Sequence, residues 1–179
     1  MISTQLIRRF PFFAGFSHDQ FNTLAKAAKN LSVESGHRFF QEGETLRHFY
    51  LVLDGSIAIT INVPDRDVPQ PLTNQITGNL INKELTVSNV GVGDVFGWSA
   101  LIPPNTSTAN ARAVTASRVI KFDGEALRPH IGDDCAFGYL LALKAAQIVR
   151  QRLRDLRIES LSEIKEKAAS SSARLSMSH

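Results

Sequence analysis

The stretch Phe96-Gly97-Trp98-Ser99-Ala100, with Ser107-Thr108 following it, holds the residue types best suited to binding chemistry. A glycine ahead of a short helical run lets the backbone come close to a ligand. The helix start then offers unpaired N–H groups that favour an anion. The hydroxyls of Ser99, Ser107 and Thr108 either bind such an anion or cap the helix and close its turn. Trp98 either stacks on a ligand or fills core beside the turn. Pro103-Pro104-Asn105 either gates the site or stops the helix rigidly. Other chemistry is excluded more directly. His18, His37, His48, His130 and His179 supply no His-x-His pair with a nearby carboxylate, so no metal site is expected. Cys135, the single cysteine, has no base beside it and rules out an internal disulfide or a cysteine zinc cage. No nucleophile elbow, P-loop or paired-carboxylate pattern is present, so the chain is not expected to be an enzyme.

The elements that would position these residues follow from periodicity. Ser17 stands three residues before Gln20, a capping-box spacing. Phe21, Leu24, Ala25 and Ala28 then predict a helix from about Ser17 to Lys29, after a turn or two of helix before Pro11. From Leu31 the period becomes two. Phe49 to Leu53 ends in Asp54-Gly55, a hairpin signal, and Ile57 to Val63 alternates. Pro64 to Asn79 reads as an exposed loop. Strand character returns at Leu80 to Val90, Ala109 to Val114 and Ser117 to Phe122. Gly124 to His130 predicts a short helix, and Asp133 or Asp134 can cap a long one. Its apolar face is Phe137, Leu140, Leu141, Leu143, Ile148, Val149, Leu153 and Leu156. The fold class is therefore mainly β with flanking helices: a double-stranded β-helix (jelly roll) of about eight strands, short N-terminal helices and a long C-terminal helix. The domain spans 6–160, with the roll over 31–123 and the C-terminal helices over 124–160. Residues 161–179 form a helical extension and a serine-rich tail.

Composition agrees with one globular domain. The chain has 179 residues, with 20 Lys+Arg against 17 Asp+Glu. That excess is too mild to indicate nucleic-acid binding, and the basic run Arg150 to Arg157 reads as a solvated helix face. No stretch reaches the ~18 apolar residues of a membrane span. Arg8-Arg9-Phe10 lacks the apolar run an export signal needs next. A cytoplasmic protein with neither nucleic-acid nor membrane partners is the expectation.

Four pieces together carry a family resemblance: Phe10 to Phe16; Phe40-Gln41-Glu42-Gly43-Glu44 with Phe49 to Gly55; Gly93-Asp94-Val95-Phe96-Gly97; and Arg112 to Ile120. In this order they resemble the cyclic-nucleotide-binding domain of the catabolite-activator and protein-kinase regulatory-subunit superfamily, over roughly Leu6 to Glu159. The resemblance implies a phosphate-binding cassette at Phe96, Gly97, Trp98, Ser99 and Ala100. It also implies a glutamate for the ribose after the Phe-Gly pair and an arginine for the cyclic phosphate. Trp98 stands at the glutamate position and Ser107 at the arginine position, with the following hydroxyl kept as Thr108. Arg112 lies on the opposite face of its strand from Ser107, Ala109 and Ala111. A buried anion without its charged partner loses ~3–5 kcal/mol, or roughly two to four decades of affinity. Tight cyclic AMP or cyclic GMP binding is therefore not expected, and no cofactor is assigned beyond weak binding of a cyclic nucleotide or other small anion.

The resemblance further implies a C-terminal helix that dimerises or closes over ligand. Val149, Leu153 and Leu156, four and then three residues apart, form its candidate seam. The position near a nucleotide base falls at about Leu156 or Arg157. Transcription factors of the superfamily append a helix-turn-helix domain, and the polar residues after Glu159 are too few for one. The expected function is a stand-alone regulatory module acting through a protein partner or a homodimer. A nucleotide sensor in which Thr108, the cassette N–H groups and Arg157 replace the missing pair is one alternative. A structural interaction protein with its pocket filled by Trp98 is the other.

Overall fold

In this computed structural model, residues 2–65 and 67–176 are described, except the side chains of Leu156 and of residues 158–176. The alternating stretches form eight strands: β1 (Ala28–Val33), β2 (Arg38–Phe40), β3 (His48–Asp54), β4 (Ile57–Pro64), β5 (Asn82–Val90), β6 (Val95–Phe96), β7 (Asn110–Ala113) and β8 (Ser117–Asp123). They pair antiparallel in two four-stranded sheets, ordered β1-β8-β3-β6 and β2-β7-β4-β5. This is the expected mainly-β jelly roll.

β3 reads as one apolar run because both of its faces are covered, and Phe49 to Val52 are all buried. Phe49 stacks on its register partner Phe122 with ring centroids 4.7 Å apart. Phe13 covers Phe122 at 5.4 Å. Phe13 comes from a 3-10 turn (Pro11–Phe13) between α1 (Thr4–Arg8) and α2 (His18–Lys26). On the other side, Tyr50 stacks on Phe96 at 4.9 Å. The paired aromatics hold the N-terminal helices and the β6 turn against opposite faces of one strand.

The capping box of α2 is present, with Ser17 and Gln20 bonding each other's backbone N–H. However, α2 ends at Lys26, and β1 begins at Ala28 rather than Leu31. Ala28 fits a helical stripe and a strand equally well, and pairing with Phe122 of β8 decides for the strand. The segment expected as a loop from Pro64 contains a short helix, α3 (Leu72–Thr77), which Gly78 ends in the left-handed conformation. It sits at the tip of the β4–β5 hairpin.

After β8 come α4 (Gly124–Asp133) and α5 (Cys135–Ser176). The serine-rich segment expected as a tail is therefore helical through Ser176. The chain divides into two compact units, Met1–Ala145 and Ala146–His179. The buried stripe of α5 is Phe137, Leu141 and Ala145, each at most 1% exposed. Leu143, Val149 and Leu153, expected on that same face, are 38%, 39% and 48% exposed. The same four-residue spacing continues through Val149 and Leu153, but burial along it ends with Ala145, the last residue of the first unit.

Asp134 caps α5, accepting from the Phe137 N–H at 3.0 Å, and its other oxygen accepts from Gln20 Nε2 at 2.8 Å. The Gln20 bond and then the Phe137 bond hold the Asp134 carboxyl below its ordinary value. Such a group stabilises the fold above its unfolded pKa, and that contribution is lost as pH falls through the lower folded value. The melting temperature should therefore drop as pH falls below ~4. Asp134→Asn should flatten that drop in thermal melts followed by circular dichroism. Parallel melting curves for the two proteins would reject the assignment.

Candidate ligand site in the cassette turn

β6 delivers the chain to Gly97, which starts a one-turn 3-10 helix, Trp98–Leu101, with φ +74°. No larger residue fits comfortably there. A Cβ on Gly97 would lie 3.1 Å from the His48 carbonyl oxygen, 3.3 Å from Phe40 Cε1 and 3.4 Å from Phe49 Cα. The turn is thus pressed on the backbone of β3, and Phe96 anchors it between Tyr50 and Phe39. Burial first, and the Glu44 carboxylate second, push the Tyr50 phenol up to about 12, so it stays neutral. Ala100 is fully buried and Ser99 nearly so, whereas Trp98 is half-buried.

The helix stops before the prolines. Ile102 is already extended, and the closing residue is Asn105 at φ +63°. Its Nδ2 donates to the carbonyls of Ser99 at 3.1 Å and Ala100 at 3.0 Å. Asn105 is the positioning residue, which sequence reasoning treated only as part of a gate or a stop. The available signal was an asparagine, tolerant of the left-handed region, directly after two prolines. Asn105 and Ser107 then pair with the 43–46 turn. Leu46 N–H donates to the Asn105 carbonyl at 2.7 Å, Ser107 N–H to the Glu44 carbonyl at 2.8 Å, and Gly43 N–H to the Ser107 carbonyl at 2.8 Å.

Phe96, Gly97, Trp98, Ser99, Ala100, Ser107 and Thr108 therefore share one connected turn. Ser107 is 5% exposed. Its Oγ donates to the Ala109 carbonyl at 2.6 Å and accepts from the Ala109 N–H at 3.3 Å. Of the two roles open to this hydroxyl, closing its own turn is the one the geometry shows. Thr108 is exposed. Arg157 is exposed and belongs to the second unit, after Ala145. The seam residue Leu156 lies outside the described side chains.

Arg112 faces away from the roll interior. It donates to Glu84 of β5 at 2.6 Å, while its neighbours Ala111 and Ala113 are buried. Asn110 alternates onto the Arg112 face. It accepts from the Glu42 N–H at 2.9 Å and donates to Thr60 Oγ1 at 3.2 Å, tying the 41–44 turn to β4. Among the described residues, no group of three or more His, Cys, Asp or Glu is placed to hold a metal ion. Among them also, no helix is long and apolar enough to cross a membrane.

Comparison with known proteins agrees with this geometry. A CRP-like cAMP-activated global transcriptional regulator of Mycobacterium tuberculosis is 25% identical over 129 residues, covering 72% of this chain and 50% of the relative. The chain thus spans about half the length of that regulator. A Geobacter metallireducens protein named for cyclic-nucleotide binding has a solved structure with TM-score 0.69 and 27% identity, covering 86% of this chain and 99% of that one. The regulatory subunit of a cAMP-independent protein kinase A from Trypanosoma brucei, solved as a three-substitution variant bound to cAMP, has TM-score 0.59 and 18% identity. That match covers 88% of this chain and 49% of the other. The family profile of the cyclic nucleotide-binding domain matches residues 30–133, more than half of the 179. By that match, and by the roll and cassette turn described above, this chain belongs to the cyclic nucleotide-binding domain family.

Proposed function

We propose that the chain is a regulatory module whose cassette no longer binds cyclic AMP or cyclic GMP tightly, and which acts through a protein partner or a homodimer. The observation that carries this reading is the Ser107 hydroxyl closed onto Ala109, at the position where the family places its phosphate arginine. Arg112, the nearest basic residue downstream of it in sequence, is engaged by Glu84 on the outer face. At the ribose position Trp98 offers bulk and an N–H donor, but no carboxylate acceptor. Weak binding of a small anion by the cassette N–H groups and Thr108 is compatible with this arrangement. The Trypanosoma relative, called cAMP-independent, took up cAMP as a variant in which one of three substitutions replaces a threonine with an arginine. That supports reading the loss as one of side-chain chemistry rather than of fold. The Mycobacterium relative and the Trypanosoma subunit are named as regulators, and a regulatory rather than catalytic role is proposed accordingly.

α5 is the proposed contact surface, because Val149 and Leu153 are exposed apolar residues on it. Calorimetric titration of cyclic AMP and cyclic GMP to millimolar ligand tests the site. The expected result is no binding at micromolar ligand. A micromolar or tighter Kd for either nucleotide would overturn the reading.

A further inference from the structure

We infer that this protein carries a second ligand site, for an amphipathic carboxylate, in a groove between α1 and the strands β1, β8 and β3. The groove has a volume of about 620 Å³, within the ~300–1,000 Å³ typical of small-molecule sites. It shares no lining residue with the cassette turn, so it stands or falls independently of the reading above.

Three adjacent strands meet here, in the order β1-β8-β3. Leu31 of β1 and Val119 of β8 are register partners in its lining. Leu6 of α1, Phe10 just after α1, and Leu53 of β3 add apolar wall. Leu6, Phe10, Leu31 and Leu53 are all only half-buried, so each keeps accessible surface in the lining. Phe10 also lies against the Gly93 turn, 3.7 Å from where a Cβ there would sit.

Charge selects the occupant. The lining holds two guanidiniums, Arg9 and Arg118, and no carboxylate. Arg118 meets Asp54 at 3.5 Å. Arg9 has no ion-pair or hydrogen-bond partner for its guanidinium among the described residues. One uncompensated cation beside an apolar wall fits a single-headed anion with an apolar body. A carboxylate matches the planar fork of arginine, and a saturated chain matches Leu6, Phe10, Leu31 and Leu53. A cation or a purely polar anion would leave one half of this lining unmatched.

The probe is decanoate, titrated calorimetrically below its micellar range into the full chain, with decan-1-ol and decyltrimethylammonium as controls. Decanoate should bind with a submillimolar Kd, and both controls at least ~10-fold more weakly, since each lacks the charge-assisted bond. Arg9→Glu reverses an exposed charge, so it should keep the wild-type melting temperature while weakening decanoate ~10-fold or more. Arg118→Glu should weaken it in the same direction. Absence of decanoate binding would overturn the inference. Equal binding of the alcohol or the cation would do the same, as would Arg9→Glu binding decanoate like wild type.

Discussion

Replacing Trp98 with Glu and Ser107 with Arg together is expected to raise cyclic AMP affinity by roughly two to four decades, the equivalent of ~3–5 kcal/mol for re-pairing a buried phosphate. On the proposed reading, the turn keeps the backbone that would receive the phosphate. Gly97 holds the left-handed start of the 3-10 helix, and Asn105 closes its end. The new arginine would enter at a position 5% exposed, on a backbone held through Glu44 and Gly43. It would therefore arrive oriented but desolvated. Without ligand, an unpaired buried cation lowers stability. The double variant should melt below wild type when empty and recover when cyclic AMP is added. Saturation at 100 times Kd contributes ~2.7 kcal/mol. Calorimetry gives the affinity, and thermal melts with and without nucleotide give the stability. If the variant folds but binds no better than wild type, the pocket is closed by packing, and the diverged-chemistry reading fails. Ser107→Arg alone should recover less, because Trp98 would still stand where the ribose hydroxyl needs an acceptor.

Gly55→Ala should be the most damaging methyl addition tested in the roll, costing on the order of 3 kcal/mol or more. Two effects add. Gly55 sits at φ +89° in the β3–β4 hairpin, where a non-glycine residue is strained by ~1–2 kcal/mol. Its Cβ would also fall 2.7 Å from the Ala116 carbonyl oxygen, and closer still to Ser117 Oγ. The serine can rotate, but its hydroxyl bonds the Thr115 carbonyl at 2.8 Å, so moving it breaks that bond. The backbone oxygen cannot yield without shifting the β7–β8 turn. Gly97→Ala carries similar strain, but its tightest contact is 3.1 Å, so it should cost about 2 kcal/mol. At ~2–4 °C per kcal/mol for a chain of this size, the two variants should separate clearly in thermal melts. Equal losses would mean that backbone strain alone, not the Ala116 contact, sets the cost at Gly55.

Several features were legible from residues alone, because local chemistry dictates them. Ser17 and Gln20 form a capping box wherever a helix follows, and Asp54-Gly55 makes a tight hairpin between two alternating runs. Alternation itself places Arg112 opposite Ala111, so its outward aim followed from strand period alone; only the fold supplied Glu84 as its partner. The roll was readable for the same reason, since glycines at turns and a period of two are properties of the chain, whereas the family came from the resemblance carried by four pieces in order.

What only the tertiary structure decided are the choices between local options of similar energy. Ala28 suited a helix or a strand until Phe122 was placed opposite it. Ser107 could have faced a ligand or its own turn, and the ladder to Glu44 and Gly43 holds it beside Ala109. Pro103-Pro104 looked like the stop to the helix, but Asn105, brought under the Ser99 and Ala100 carbonyls, closes it. On α5, spacing alone admitted Leu143 to the buried face along with Phe137, whereas within the first unit packing buries Phe137, Leu141 and Ala145. The groove beside Arg9 and Arg118 was invisible in sequence. Those arginines lie just after α1 and on β8, far apart along the chain, and only the pairing of β1, β8 and β3 under α1 brings them to one cavity. Periodicity and capping act over a few residues, while burial and partner choice act across the whole fold.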